Sequence, residues 1–198
     1  YGASRNAPFQ ESDRTDEPVS LYAATKKANE ALAHSYSHLF GLAATGLRLF
    51  TVYGPWGRPD MAYFIFAQKM LKGETIPVFA EGALKRDFTY IDDIVESIVR
   101  LLAKPLAATG SVAPHTVFNI GNHQPVRVLD FIAALEEAFG VTAKIAFLPM
   151  PPGDVPMTCA DTGKLREWVG FAPATPLEDG LGRFREWLLD WMARNKVD

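Results

Sequence analysis

Between Ser20 and Gly41 the sequence has the make-up of one long helix. Alanines at 23, 24, 28, 31 and 33 supply the strongest helix former. Leu21, Ala24, Ala28, Leu32 and Leu39 keep helical spacing, with Ser35 as the one small polar exception. Ser20 has the chemistry of an N-cap and Gly41 that of the residue that ends a helix. The small side chains make more than one face of this helix smooth. A helix apolar on two faces is expected to be buried on two sides, which calls for a layered architecture around it.

The rest of the chain alternates strand and helix patterns. The periodicity predicts a strand over 44–51 and a Gly/Pro loop over 52–59. A helix over 61–71 follows, with Asp60 as its cap. Strands are predicted at 76–79 and 86–90, a helix at 92–103, a strand at 116–120, a helix at 128–139 closed by Gly140, and a strand at 144–148. A loop rich in proline spans 149–157, and helices at 161–169 and 178–194 finish the chain. This alternation argues for an α/β fold with parallel strands. No strand–GxGxxG–helix unit occurs, although the opening βαβ unit of a dinucleotide fold would carry one.

Composition narrows the function classes. Among 198 residues, 48% are hydrophobic and 22% charged, the balance of a globular domain with a sizeable core. The net charge of -3 offers no basic face for nucleic acid. The longest apolar run, 61–67, is far short of the ~20 residues that span a membrane. The lone Cys159 excludes an intrachain disulfide and any multi-cysteine metal site. It reads as a buried small residue in a reducing compartment, and a cytoplasmic location is expected. The chain opens on Tyr1-Gly2-Ala3-Ser4-Arg5, with no initiator methionine and no signal-peptide pattern. It reads as a chain entered mid-fold.

The main chemical signal is Tyr22-Ala23-Ala24-Thr25-Lys26. Residues four apart share a helix face, so the phenol and the ammonium can act together. A tyrosine ordinarily ionises near pH ~10, and a fixed positive charge beside it favours the phenolate. Such a tyrosine can serve as a general base. By itself the spacing is common, and an ordinary surface pair fits it as well.

The surrounding motifs are more specific. Pro18-x-Ser20-x-Tyr22-x-x-x-Lys26-x-x-x-Glu30 is followed by Leu47-Arg48-Leu49-Phe50-Thr51-Val52-Tyr53-Gly54-Pro55. Then come Arg86-Asp87-Phe88-Thr89-Tyr90-Ile91-Asp92-Asp93, Phe118-Asn119-Ile120-Gly121, and Pro152-Gly153-Asp154-Val155 with Ala160-Asp161. In this order and spacing the chain resembles the extended short-chain dehydrogenase/reductases, the family of NAD-dependent sugar-nucleotide epimerases and dehydratases. The run from Thr51 to Ala62 is most similar to the UDP-glucuronate 4-epimerases within it.

The resemblance implies the C-terminal portion of a Rossmann-like NAD-binding fold plus a smaller sugar-nucleotide-binding lobe. The 198 residues would then form a single partial unit. Residues 1–60 and 85–122 would supply Rossmann-type elements, and 61–84 and 123–198 the lobe. Tyr22 matches the catalytic base and Lys26 the lysine that holds the nicotinamide ribose. Phe50 and Val52 match positions beside the nicotinamide. Thr51 stands near the sugar, where galactose-type epimerases carry asparagine. Met61, Ala62 and Phe79 match positions lining the uridine and sugar site. Arg86 matches the arginine on the diphosphate, and Asp154 the acidic residue near the ribose. Arg58 is a candidate for substrate contact. Pro151 replaces a second phosphate-side arginine, which throws more of that task on Arg86. The family's catalytic Ser/Thr precedes the first residue of this chain. NAD as cofactor, a UDP-sugar as substrate and a homodimer through helix 21–40 are implied; no metal is.

Each assignment has a structural alternative. Arg86-Asp87 could be a surface ion pair, worth little. Arg58 could be merely solvated, and Asp154 could only order its loop. Asp92, Asp93 and Glu96 suit a helix start on electrostatic grounds. His34 and His38 share a helix but lack a third ligand, and His115 and His123 read as loop residues. Phe184, Trp187, Leu188 and Trp191 read as packing surface. A uronate decarboxylase, a 4,6-dehydratase and a non-catalytic nucleotide-sugar-binding or dimerisation fragment remain the competing functions.

Overall fold

The structure, a computed structural model, describes residues 1–2, 4, 6–107, 113–151 and 153–195. Ala3, Arg5 and Pro152, which entered the readings of the chain start and the proline-rich loop, lie outside the described residues. The helices are α1 (Leu21–Phe40), α2 (Ala62–Leu71), α3 (Ile91–Ala103), α4 (Val128–Phe139), α5 (Gly163–Val169) and α6 (Leu177–Asn195). The strands are β1 (Ala44–Leu49), β2 (Thr51–Tyr53), β3 (Thr75–Phe79), β4 (Lys85–Tyr90), β5 (His115–Ile120), β6 (Pro125–Arg127) and β7 (Lys144–Leu148). The fold is α/β.

Local chemistry sets the helix ends. The Ser20 hydroxyl accepts a hydrogen bond from the Ala23 amide, and Gly41 closes α1 at φ 64°. Gly140 closes α4 in the same left-handed conformation, at φ 67°. Asp60 does not cap α2. Met61 occupies the N-cap position with no side-chain bond, because the Asp60 carboxylate is taken by Arg58, at 3.0 and 2.6 Å.

The predicted strand 44–51 is longer and divided. β1 pairs in parallel with β5, from Ala44↔His115 to Leu49↔Ile120. At Phe50, whose amide still donates to the Ile120 carbonyl at 3.1 Å, the chain changes partner. β2 then pairs in parallel with β4, Thr51↔Phe88 to Tyr53↔Tyr90. The short strand β6 adds to β4 antiparallel, and β3 pairs in parallel with β7. His115 therefore opens a strand rather than sitting in a loop, with its ring edge against His34, centroids 5.5 Å apart.

Two hydrophobic clusters organise the interior. The larger joins α2, β3, β4, α4 and α6 through Tyr53, Tyr63, Phe64, Phe88, Phe131 and Phe184. Phe88 and Phe131 stack with centroids 4.1 Å apart. The α6 backbone passes so close to Tyr53 that a Cβ at Gly180 would lie 2.1 Å from its hydroxyl. The smaller cluster gathers Ile94, Leu101, Phe118, Ile120 and Leu165 from α3, β5 and α5. Phe184 and Leu188 of α6 are fully buried, with Trp187 and Trp191 packed against the larger cluster. Cys159 is buried, and burial pushes its thiol up to about 11.

Helix α1 does not meet the expectation of burial on two sides. Of its residues only Ser37 is buried, while Leu21, Tyr22, Leu32, Tyr36, Leu39 and Phe40 are exposed. Its tie to the sheet is polar. Arg48 of β1 grips Glu30 through two hydrogen bonds of 2.7 and 2.9 Å, and this bond holds the Glu30 carboxyl below its ordinary range. Among the described residues no helix is long and apolar enough to cross a membrane.

Candidate active site

Tyr22 and Lys26 lie on the first turns of α1, one turn apart on the same face. The Lys26 ammonium sits 5.4 Å from the centre of the Tyr22 ring. The phenol is open to solvent, at 70% exposure. No salt bridge engages Lys26 among the described residues. Both groups are thus free to meet something that arrives at this face.

Phe50, Thr51 and Val52 sit where the chain passes from one sheet to the next. The Phe50 ring completes an aromatic trio with Tyr1 and Phe9, at centroid distances of 6.2 and 6.5 Å. The Tyr1 hydroxyl bonds to the Asn119 side chain, and the Arg48 guanidinium stands 4.9 Å over the Tyr1 ring. Val52 packs onto the smaller cluster. These contacts fix the strand end from below and leave its residues half-buried.

The loop after β2 carries Arg58. Its guanidinium holds Asp60 in an exposed two-bond pair. Its pKa is raised first by the hydrogen bond to Asp60 and least by the field of Tyr22, so the loop lies within electrostatic reach of the phenol. An exposed pair of this kind contributes little to stability and is readily exchanged for another carboxylate. Met61 and Ala62 follow directly, at the start of α2.

A second group of residues surrounds Arg86. This side chain is pinned by Asp154 at 2.6 Å and by the Val155 and Lys85 carbonyls, each at 2.9 Å. Burial lowers the Arg86 pKa and Asp154 opposes that shift; a guanidinium stays charged throughout. The surface-pair alternative for Arg86-Asp87 does not hold. Asp87 is fully buried and accepts backbone N–H bonds from Asn122 (2.8 Å), His123 (3.2 Å) and Ala160 (2.8 Å). Desolvation pushes its carboxyl above the ordinary range, against the pull of those donors.

A cleft of about 350 Å³ is lined by Ala80, Glu81, Phe147, Leu148 and Pro149. Phe79 pairs with Leu148 at its edge, and both rings of Phe79 and Phe147 are exposed. The turn above it is strained. Ala80 and Glu81 hold φ of 49° and 52°, and Gly82 follows at 72°. Left-handed conformation at two consecutive residues with side chains is uncommon and tends to mark binding sites. Sequence reasoning found Phe79 but missed the turn and the Phe147–Pro149 wall. The wall's only signal was the exposed aromatic face of the strand 144–148.

The two groups are neighbours. A Cβ on Gly153 would stand 3.3 Å from the Val19 carbonyl, so the loop bearing Asp154 touches the chain three residues before Tyr22. The chain leading into α1 thus adjoins the loop that holds Arg86. The remaining expected acids are structural. Asp93 accepts bonds from the Thr175 amide and hydroxyl, both at 2.9 Å, and Asp92 faces Arg183 at 3.5 Å.

Known proteins share this sequence pattern and fold. A profile of the NAD dependent epimerase/dehydratase family matches residues 1–121. UDP-glucuronate 4-epimerase 1 of Arabidopsis thaliana is 49% identical over 98% of this chain and 48% of its own length. A UDP-glucuronic acid 4-epimerase from Bacillus cereus, solved with UDP-glucuronic acid and NAD, superposes with a TM-score of 0.83 at 33% identity, covering 96% of this chain and 59% of that one. A dTDP-glucose 4,6-dehydratase from Streptomyces venezuelae, solved with NAD, superposes at 0.85 with 25% identity over 98% of this chain. The chain belongs to the NAD dependent epimerase/dehydratase family. It spans between 46% and 60% of the length of the curated relatives it matches.

Proposed function

We propose that this chain is the base-bearing and substrate-binding part of an NAD-dependent nucleotide-sugar 4-epimerase that interconverts UDP-glucuronate and UDP-galacturonate. The observation that carries the reading is the exposed Tyr22–Lys26 pair, one turn apart on α1 and preceded by the stretch that the Asp154 loop adjoins. The relatives that act on UDP-glucuronate supply its substrate.

The chain's own groups account for binding and proton transfer. Lys26 has no competing ion pair among the described residues and can take the ribose hydroxyls of NAD, beside Phe50 and Val52 at the strand end. When bound, NAD supplies reversible hydride acceptance at C4 of the sugar. Tyr22 takes the C4 hydroxyl proton as hydride leaves, and returns it after the 4-keto sugar has turned over. The cleft beside Phe79 takes the uracil, and Arg86, half-buried and held in place by Asp154, faces the diphosphate. The nucleotide thus anchors the substrate while the sugar rotates. No glycine-rich pyrophosphate turn occurs in these 198 residues, so the isolated chain should bind NAD poorly.

Oxidation at C4 makes the uronate a β-keto acid. Its C5–C6 bond can break with its electron pair passing to the C4 ketone, releasing carbon dioxide. On this reading Thr51 and Arg58 hold the carboxylate so that this bond stays poorly aligned. Arg58 exchanges Asp60 for the substrate carboxylate, a bidentate fit. Two copies of the protein pair through the exposed apolar face of α1, and the protein works in the cytoplasm, in keeping with its lone buried thiol.

The test is Tyr22→Phe in the complete protein. Turnover should fall by about 10²–10⁴-fold, the usual contribution of a positioned general base, with UDP affinity kept. Near-normal turnover would refute the assignment. Arg58→Ala should lower the preference for UDP-glucuronate over UDP-glucose and let a 4-keto pentose appear. An unchanged preference would leave only the broader epimerase/dehydratase class, the dehydratase reading included.

A further inference from the structure

Trp56 stands in the loop that leads to Arg58, and its conformation is not explained by stability. Its backbone is left-handed, at φ 60°, a genuine outlier for a bulky residue. Its side chain is 80% exposed, so little apolar surface is buried in return. The loop is nevertheless built to hold it there. Gly54 precedes it at φ 136°, where a Cβ would lie 2.6 Å from Ile91 Cγ2. Gly57 follows it, where a Cβ would fall 1.4 Å from the Tyr63 hydroxyl. That hydroxyl donates to the Gly54 carbonyl at 3.3 Å, closing the loop from beneath.

The indole has one neighbour of consequence. Its ring lies 5.4 Å from that of Trp187. Trp187 in turn stacks on Phe184, at 6.1 Å and 28°, and Phe184 is fully buried in the larger cluster. Trp56 is therefore the outer end of an aromatic row rooted in the core. Strained residues persist where the surroundings over-determine them, and they concentrate at functional sites.

We propose that Trp56 is a positioning residue for carboxylate recognition: braced on Trp187, it fixes the loop from which Arg58 reaches the sugar of a nucleotide uronate. The inference rests on the reading of Arg58 given above. Freed of the indole, the loop samples conformations in which the guanidinium points elsewhere, and affinity falls by the share of those conformations.

The experiment uses the complete protein carrying Tyr22→Phe, so that binding is read without turnover. Calorimetry gives Kd for UDP-glucuronate and for UDP-glucose in four further variants: Trp56→Ala, Trp56→Phe, Arg58→Ala, and Trp56→Ala with Arg58→Ala. Trp56→Ala should weaken UDP-glucuronate about tenfold, the loss of roughly one charge-assisted hydrogen bond, and UDP-glucose by less than about twofold. Trp56→Phe should restore most of the loss. The double variant should bind no worse than Arg58→Ala alone, because both act through one group. Equal weakening of the two nucleotides, no weakening, or losses that add would overturn the role of Trp56 and leave Arg58 standing. If Arg58→Ala itself fails to distinguish the two nucleotides, the carboxylate reading falls and the role of Trp56 with it.

Discussion

The α2–β3–α4–α6 region and the α1–β1 region are held by different forces. In the first, Ile76, Val78, Leu181, Phe184 and Leu188 are wholly withdrawn from water. In the second, twenty residues of helix bury a single serine. Its ends are written in local chemistry, and its hold on the sheet includes the Arg48–Glu30 pair and the His34–His115 ring contact. Most helical stability in proteins comes from packing of an amphipathic face, so the exposed leucines and aromatics along α1 suit a surface that something else covers. The proposed base lies on the thinly packed side and the nucleotide cleft on the densely packed one.

Four substitutions test that contrast in the 198-residue chain. Phe184→Ala should have the greatest effect, about 3–5 kcal/mol, the usual cost of an emptied aromatic site, read from the urea midpoint. Glu30→Gln should cost about 1.5–3 kcal/mol, because Arg48 is left with a neutral partner in a half-closed site. This loss carries a pH signature. The folded-state pKa of Glu30 is depressed by the Arg48 hydrogen bond, so its stabilisation is present above about pH 4.3 and fades as pH falls through the lower folded value. Glu30→Gln should flatten that acid limb, and an unchanged limb would show that the pair does not carry the α1 contact. Asp87→Asn should cost about 1–3 kcal/mol, since an amide oxygen cannot serve donors at both former carboxylate positions. Leu32→Ala, on the exposed face of α1, should stay within about 0.5 kcal/mol. A loss at Leu32 comparable with that at Phe184 would break the comparison. A larger loss at Leu32 in the complete protein than in this chain would sharpen it, by identifying the face that becomes covered.

Much of the α/β order was legible because local signals happened to agree with the tertiary result. Leu21–Phe40, Val128–Phe139 and Lys144–Leu148 lie where spacing and end residues put them. Asp60 misled because two residues upstream an arginine competed for its carboxylate. The division of 44–53 between two sheets was hidden, since a change of hydrogen-bond partner leaves no mark on an unbroken β-like run. β6 was hidden because it begins with Pro125 and gains its strand character only from β4. The Tyr22–Lys26 pair, like Phe79 and Arg86, was picked out by the motifs around it, since the spacing alone fits an ordinary surface pair as well. The Ala80–Glu81 turn could not, because neither residue favours the left-handed region that the fold imposes. Asp87 looked like half of a surface pair, and only long-range contacts reveal it as the acceptor for three N–H groups from two separate backbone segments.

The partner change at Phe50 makes residues 44–53 behave like an axle set in two bearings. One end is clamped against β5, the other against β4, and the single residue between them is Phe50. A rotation of β4 against β5 would reach Phe50 as a turn of the backbone itself, without passing through any intervening loop.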